Sequence, residues 1–366
     1  MKILFLTADL GGNVPPTLAV AEELTRRGVD VEVAGLKDGH TAFHQPPFRV
    51  AVAVGVKGPA KSPGAMFRLL ASRRTSAEVA ELVAERRPDL VVVDCMLPAP
   101  IRGALRGDVP VVVLFHTFGA YWTRSFDRGP FGRILAPLGL RPSRLWARAA
   151  ARLLLTDAEL DPGRDDPALA GSVWTGTTEK GEQQLPRQDG ARPRVLVALS
   201  STNWPGMLPV YRRIVAALSE LPVDAVVTTG GVDLGAELDG AANVEILGWA
   251  DHGALLPTMD LMIGHGGHSS TMKSLAHGVP LLVLPINPTA DQRLIGQTLT
   301  DAGLGAWLPK SAAPEKIRDA TRRILADGEL RARIAATGDR FRAHTPGSQI
   351  AADALIAVST RDPHPL

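Results

Sequence analysis

Residues able to do chemistry concentrate in DLMIGHGGHSSTMKSLAHGVPLLVLP (260–285). A buried apolar run ends at Gly264, and His265-Gly-Gly-His-Ser-Ser-Thr leads into a helical pattern. Glycines such as Gly267 let the backbone approach a ligand closely. Ser269, Ser270 and Thr271 are expected to cap the helix and to donate hydroxyl hydrogen bonds. The free N–H groups and positive dipole end of the helix favour an anion, and His265 is placed to donate a further bond. Together they form a diphosphate receptor that needs no metal. An earlier turn raises a competing possibility. DLGGNVPP (9–16) follows the apolar run Ile3–Leu6 and precedes a helical pattern, the usual setting of a phosphate cradle.

These groups must be held by a scaffold, and the rest of the chain describes one. At 366 residues the length suits about two domains. In the first half, KILFLT (2–7), VEVAG (31–35), FRVAVAV (48–54), LVVVD (90–94), VPVVVLF (109–115) and RLLLT (152–156) read as strands. They alternate with helical patterns at Pro16–Arg27, Gly64–Arg86 and Pro98–Leu105, which indicates a parallel sheet covered on both faces. GTTEKGEQQLPRQDGARP (176–193) is polar and lacks apolar periodicity. The strand pattern then restarts with RVLVALS, DAVVTTG, NVEILG, DLMIG and PLLVLP. The expectation is an α/β protein of two tandem Rossmann-like doubly wound domains with a central cleft. Its parts are 1–178, a linker at 179–193, a second domain at 194–345, and a C-terminal helix and tail at 346–366 that packs back on the first domain.

Composition narrows the function classes. Forty basic residues nearly balance 38 acidic ones, unlike a nucleic-acid binder. Seven arginines between 121 and 152, against the single Asp127, make either a solvated helix face or a surface for an acidic or membrane-associated partner. The one cysteine, Cys95, excludes an intrachain disulfide and a cysteine-based zinc site. With neither a signal-peptide pattern nor a transmembrane-length apolar run, a cytoplasmic protein is expected.

The stretch 245–305 carries a family resemblance. HGGHSST, AHGVPLLVLP and a following Asp-Gln are similar to the GT-B glycosyltransferases, the class containing plant UDP-glycosyltransferases and bacterial natural-product glycosyltransferases. The resemblance extends over nearly the whole chain. It implies that the second domain binds a nucleotide sugar, with His265, Gly267, Ser269, Ser270 and Thr271 on the diphosphate. Asp291 and Gln292, in PTADQRLIG, would contact sugar hydroxyls, and Trp249 would stack on the base, a task that suits a flat ring. Ser200, Ser201 and Thr202 would approach the phosphates and the donor sugar. Core packing for Trp249 and N-capping for Asp291 remain open. The plant enzymes carry at Lys273 a Glu that binds the ribose of UDP, so the resemblance leans towards dTDP over UDP. No Asp-x-Asp motif or metal-ligand spacing stands in a plausible donor position, so neither metal nor cofactor is expected beyond the nucleotide diphosphate sugar.

The resemblance also places an acceptor loop at Gly12-Asn13-Val-Pro-Pro, where relatives carry a His that takes the acceptor's proton. Asn13 can orient a substrate but cannot act as a base near neutral pH. Asp94 matches the acidic partner of that His. His116, in LFHTFGAYW, and Asp9 are further candidates for the base; helix capping by Asp94 and a structural role for His116 stay open. Acceptor surface is expected from Gly12, Asn13, Met66, Phe67 and Leu70, then Phe115, Phe118, Tyr121, Trp122 and Phe126, with core packing as the alternative. The implied activity is that of an inverting, metal-independent hexosyltransferase. It would move a sugar or deoxysugar from a dTDP- or UDP-sugar to a natural-product aglycone or intermediate, without nucleic acid and with a homodimer possible. Alternatives are a lipid-linked cell-wall sugar transferase, a sugar-nucleotide epimerase of the same fold, or a catalytically silent partner protein.

Overall fold

The computed structural model describes residues 1–8, 10–35, 49–50, 69–202, 204–234 and 237–360. Asp9, Met66 and Phe67, named above as candidates, lie outside them. The chain divides into two compact units, Met1–Thr178 with Thr345–Leu366, and Glu179–His344.

The first unit is built on a parallel sheet in the order β3-β2-β1-β4-β5-β6-β7. Its strands are β1 (Lys2–Leu6), β2 (Asp30–Ala34), β3 (Arg49–Val50), β4 (Leu90–Asp94), β5 (Val111–Phe115), β6 (Ala151–Leu154) and β7 (Val173–Trp174). The near-continuous apolar runs in β4 and β5 follow from burial on both faces, and every residue of these two strands is buried. Helix α1 (Val14–Arg26) opens with Pro15 and Pro16, whose fixed φ and missing N–H suit a first turn. Helix α2 (Arg73–Arg86) is capped by Ser72, whose hydroxyl accepts from the N–H groups of Arg74 and Thr75. Helix α3 (Pro98–Ala104) leads to β5. A π-helical turn, Tyr121–Asp127, and the short helices α4 (Pro130–Leu135) and α5 (Pro142–Trp146) precede β6.

The second unit repeats the plan with six parallel strands in the order β10-β9-β8-β11-β12-β13. They are β8 (Arg194–Ala198), β9 (Asp224–Thr228), β10 (Val244–Leu247), β11 (Leu261–Gly264), β12 (Leu281–Val283) and β13 (Gly305–Trp307). Helices α6 (Met207–Ser219), α7 (His252–Leu255), α8 (His268–Ala276), α9 (Gln292–Asp301), α10 (Pro314–Ala326) and α11 (Gly328–Ala343) alternate with them. The sequence pattern missed β7 and β13, two and three residues long. Tyr211 of α6 ties two strands of this sheet. Its hydroxyl donates to the carbonyl of Thr228 at 2.9 Å and accepts from the N–H of Leu199 at 3.3 Å. Burial pushes its pKa up to about 12.

After the second unit the chain re-enters the first. Helix α12 (Gly347–Ser359) buries Ala351, Ala352 and Leu355 in the core that holds Leu18, Ala21 and Leu24 of α1. Residues 179–193, expected as a linker, contain neither helix nor strand, yet they are docked on the second unit. Gly181 lies so close to α8 that a Cβ there would stand 2.2 Å from the carbonyl oxygen of Ala276. The Leu185 N–H donates to the carbonyl of Pro257 at 2.7 Å.

Four of the seven arginines are engaged within the first unit. Arg128 pairs with Asp166 and Arg141 lies 3.7 Å from Asp127. Arg124 and Arg152 donate to backbone carbonyls. Among the described residues, no helix is long and apolar enough to cross a membrane.

Candidate functional site

In a doubly wound sheet, ligands sit beyond the carboxyl ends of the strands, near the point where strand order reverses. In the second unit that point lies between β8 and β11. His265 follows β11, Ser200, Ser201 and Thr202 follow β8, Trp249 follows β10, and Asp291 with Gln292 follow β12. Every candidate donor residue therefore leaves the same edge of one sheet.

Helix α8 is not capped by its hydroxyl residues. Its N-cap is Gly267, in extended conformation with no side-chain cap bond, so Ser269, Ser270 and Thr271 lie inside the helix. The first intrahelical bond runs from the N–H of Thr271 to the carbonyl of Gly267 at 3.0 Å. The N–H groups of the three residues before Thr271 thus have no intrahelical acceptor, the condition that makes a helix start an anion site. Gly266, at φ +82°, makes the sharp turn before the helix. A Cβ on it would meet Val283 Cγ1 at 2.7 Å and the Gln292 carbonyl oxygen at 2.9 Å. Sequence reasoning singled out Gly267; the other glycine of the same motif bears the conformational demand.

The polar groups around this turn are unevenly occupied. Thr271 is fully buried and its Oγ1 has no partner; His265 Nδ1 is likewise buried and unpartnered. Burial pushes the His265 imidazole down to about 4, a hydrogen bond with the Leu199 backbone acting the other way. The ring is therefore neutral near pH 7, with one nitrogen donating and the other accepting. Ser200 Oγ accepts from the N–H of Thr202 at 3.0 Å. Gln292 is buried, and its Oε1 accepts from the N–H groups of Ile286 and Asn287 at 2.7 and 2.9 Å. The Gln292 carbonyl end thus shapes the loop. Asp291 is the N-cap residue of α9 but makes no side-chain cap bond. Trp249 is 75% exposed, which removes core packing as its role and leaves a flat apolar face in solvent.

In the first unit the order reverses between β1 and β4. Asn13 is 2% exposed, and its Nδ2 lies 2.8 Å from Asp94 Oδ2, 2.8 Å from the Ala8 carbonyl and 3.1 Å from Thr7 Oγ1. Pointing the amide nitrogen at these three acceptors is the only sensible orientation, because Oδ1 there would face a carboxylate. Oδ1 itself is buried without a partner. The other oxygen of Asp94 accepts from the Met96 N–H at 3.0 Å and stands 3.5 Å from His116 Nδ1. Asp94 therefore caps the turn after β4 and also faces two polar side chains. The His116 ring stands edge-on to Trp122 at 4.9 Å between centroids.

Asp94, Cys95 and His116 each bring one potential ligand atom to within 4.8 Å of the others, a grouping hidden by their sequence spacing. Cys95 is fully buried, and burial reinforced by the Asp94 charge raises its thiol well above the usual range. That holds it as a protonated core residue.

The acceptor surface differs from expectation. Phe118 and Phe115 are fully buried, and Trp122, Leu70 and Phe126 expose 2%, 4% and 9%. Except for Phe118, these side chains belong to one hydrophobic cluster that includes Val93 and Cys95. They are core side chains that brace the β4 and β5 ends, and Trp122 supports His116 directly. Gly12 is exposed with open space where a Cβ would project, whereas Gly11, at φ +93°, takes the left-handed conformation.

Comparison with known proteins bears on this arrangement. Residues 212–357 match the model of the erythromycin biosynthesis protein CIII-like C-terminal domain, and residues 17–156 match Glycosyltransferase Family 4. The chain is 28% identical to demethyllactenocin mycarosyltransferase of Streptomyces fradiae, over 96% of this chain and 85% of that one. It is 24% identical to the NDP-glycosyltransferase YjiC of Bacillus subtilis, over 88% of each. Among solved structures, the glycotransferase of kitacinnamycin superposes with a TM-score of 0.78 at 22% identity, covering 98% of both chains. Glycosyltransferase VinC in complex with dTDP superposes with a TM-score of 0.73 at 19% identity, over 99% of this chain and 100% of that one.

Proposed function

This chain is a glycosyltransferase of the GT-B fold, and we propose that it moves a sugar from a nucleoside diphosphate to a secondary-metabolite acceptor, with inversion and without a metal. The observation that carries the donor half is the start of α8. Helix N–H groups that lack an intrahelical acceptor, the buried unpartnered Thr271 hydroxyl and a neutral His265 leave the same sheet edge as the exposed Trp249. A diphosphate needs the first set, and a base needs the flat ring. Relatives named as a mycarosyltransferase and a desosaminyl transferase, and a fold relative holding dTDP, support a natural-product acceptor and a nucleoside diphosphate. We take dTDP as the preferred carrier, since Lys273 replaces the carboxylate of the UDP-using plant enzymes and pairs with Glu179.

In this reading the acceptor oxygen attacks the anomeric carbon as the bond to the diphosphate breaks. The departing charge falls on the α8 amides and hydroxyls, fixed dipoles that need no reorganisation during reaction. The base is His116. With Asp94 beside Nδ1, that nitrogen carries the proton and the lone pair on Nε2 takes the acceptor's. The 3.5 Å separation is long for a hydrogen bond, and such bonds commonly tighten in the substrate complex. Asn13 holds the other carboxylate oxygen in place.

Nucleotide binding to the purified chain tests the donor half. dTDP should quench the fluorescence of Trp249, and Trp249→Ala should weaken dTDP binding roughly tenfold, the usual loss for one base–aromatic stack. Unchanged affinity in Trp249→Ala would remove the base from this position. Transfer undiminished by a chelator is the expected result for the metal-free reading.

A further inference from the structure

One carboxylate stands where the donor reading calls for an anion. Glu179 comes from the strap that precedes β8, and its Oε1 accepts a hydrogen bond from the hydroxyl of Ser269, in the first turn of α8. Its Oε2 lies 3.4 Å from Lys273 Nζ, one turn further along the helix. The strap cannot easily move aside, because Gly181 is pressed against the Ala276 carbonyl. The Glu179 side chain is only 12% exposed, so its charge is poorly screened by water. Lys273 also acts on the base side of the site: its charge adds to burial in lowering the pKa of His252, in the helix that follows Trp249. Occupancy around α8 is therefore selective. Thr271 Oγ1 and His265 Nδ1 have no partner, whereas the Ser269 hydroxyl and the Lys273 ammonium are both taken by one acid.

We propose that Glu179 sets the affinity for the donor. In the donor-free protein its carboxylate occupies the hydroxyl and the ammonium, which the donor's diphosphate takes over in the complex. This rests on the donor-site reading above and adds to it a residue from outside the helix and its loop. A diphosphate arriving at α8 meets a like charge a few ångströms away and must compete with it for Ser269 and Lys273. The competition concerns the phosphates alone; the base and the sugar are indifferent to it.

Calorimetric titration with dTDP and with thymidine, on wild type, Glu179→Gln and Lys273→Gln, tests the idea. Removing the competing charge should tighten dTDP binding about three- to tenfold, with the gain shrinking as salt is raised. Thymidine, which has no phosphate, should bind wild type and Glu179→Gln equally. Lys273→Gln should weaken dTDP, because it removes the cation and leaves Glu179 uncompensated. In transfer assays Glu179→Gln should lower the donor KM and leave kcat unchanged. A general loosening of the strap would instead change thymidine binding along with dTDP. Equal or weaker dTDP binding in a Glu179→Gln protein that melts like wild type overturns the proposal. If wild type binds neither ligand, the donor site itself has been misplaced and the proposal falls with it; dTDP binding to wild type with no response to Glu179→Gln rejects this inference alone.

Discussion

At the scale of single residues, the first unit shows what an asparagine can do beside a buried carboxylate. Asn13 is buried and spends its amide N–H groups on Asp94, the Ala8 carbonyl and Thr7. It fixes the carboxylate, and a fixed carboxylate can orient a histidine. The histidine within reach is His116, one strand over. His116→Ala should lower kcat by about 10²- to 10⁴-fold, the range for losing a general base, with little change in the donor KM. Asp94→Asn should lose a large part of the same activity, because an amide beside Nδ1 no longer selects the tautomer that leaves Nε2 basic. Steady-state kinetics over a range of pH would check both, and wild-type kcat in His116→Ala would exclude it as the base.

At the scale of elements, the proposed donor site depends on a turn more than on a helix. The chain leaves β11, reverses at Gly266 and enters α8 at Gly267. Gly266→Ala would hold an L residue in the left-handed region, costing roughly 1 kcal/mol, and would drive a methyl into Val283 and the Gln292 backbone. Thermal melting should show a loss of several degrees, and dTDP affinity should fall with it, since Gln292 and the α8 amides share this turn. Much of it was legible in the sequence. His-Gly-Gly after an apolar run and before Ser-Ser-Thr announces a strand, a glycine turn and a helix start, and alternation of apolar runs with helical patterns announces the two sheets. The expected capping by the hydroxyls is not found, because the N-cap position falls to Gly267, in extended conformation, and the hydroxyl residues lie inside the helix. Phe118 and Trp122 are buried, the core-packing alternative that the sequence leaves open, because an aromatic that lines a pocket and one that braces a core have the same composition. Neither the Asp94–Asn13 contact nor the Glu179–Ser269 bond could be found from spacing. The first joins residues 81 apart through strand order, and the second depends on how a polar strap docks.

At the scale of the whole molecule, helix α12 belongs to the first unit although it follows the second in sequence. The first unit cannot be completed until the second has been traversed, because α12 supplies part of its core. Ala351, Ala352 and Leu355 are all fully buried there, and Arg27 at the end of α1 bonds Asp353 and the Gln349 carbonyl. The apolar contacts outweigh the ion pair, since Asp353 is 68% exposed and surface pairs contribute little. Leu355→Ala should therefore destabilise the first unit by about 2–4 kcal/mol, the usual cost of truncating a fully buried leucine, whereas Asp353→Ala should cost well under about 1 kcal/mol. Urea unfolding of both variants would measure the difference. Neither substitution touches the α8 turn, so dTDP affinity should stay at its wild-type value in native buffer. If Leu355→Ala unfolds at the wild-type urea concentration, α12 is only laid against the first unit, and the core it shares with α1 contributes no stability.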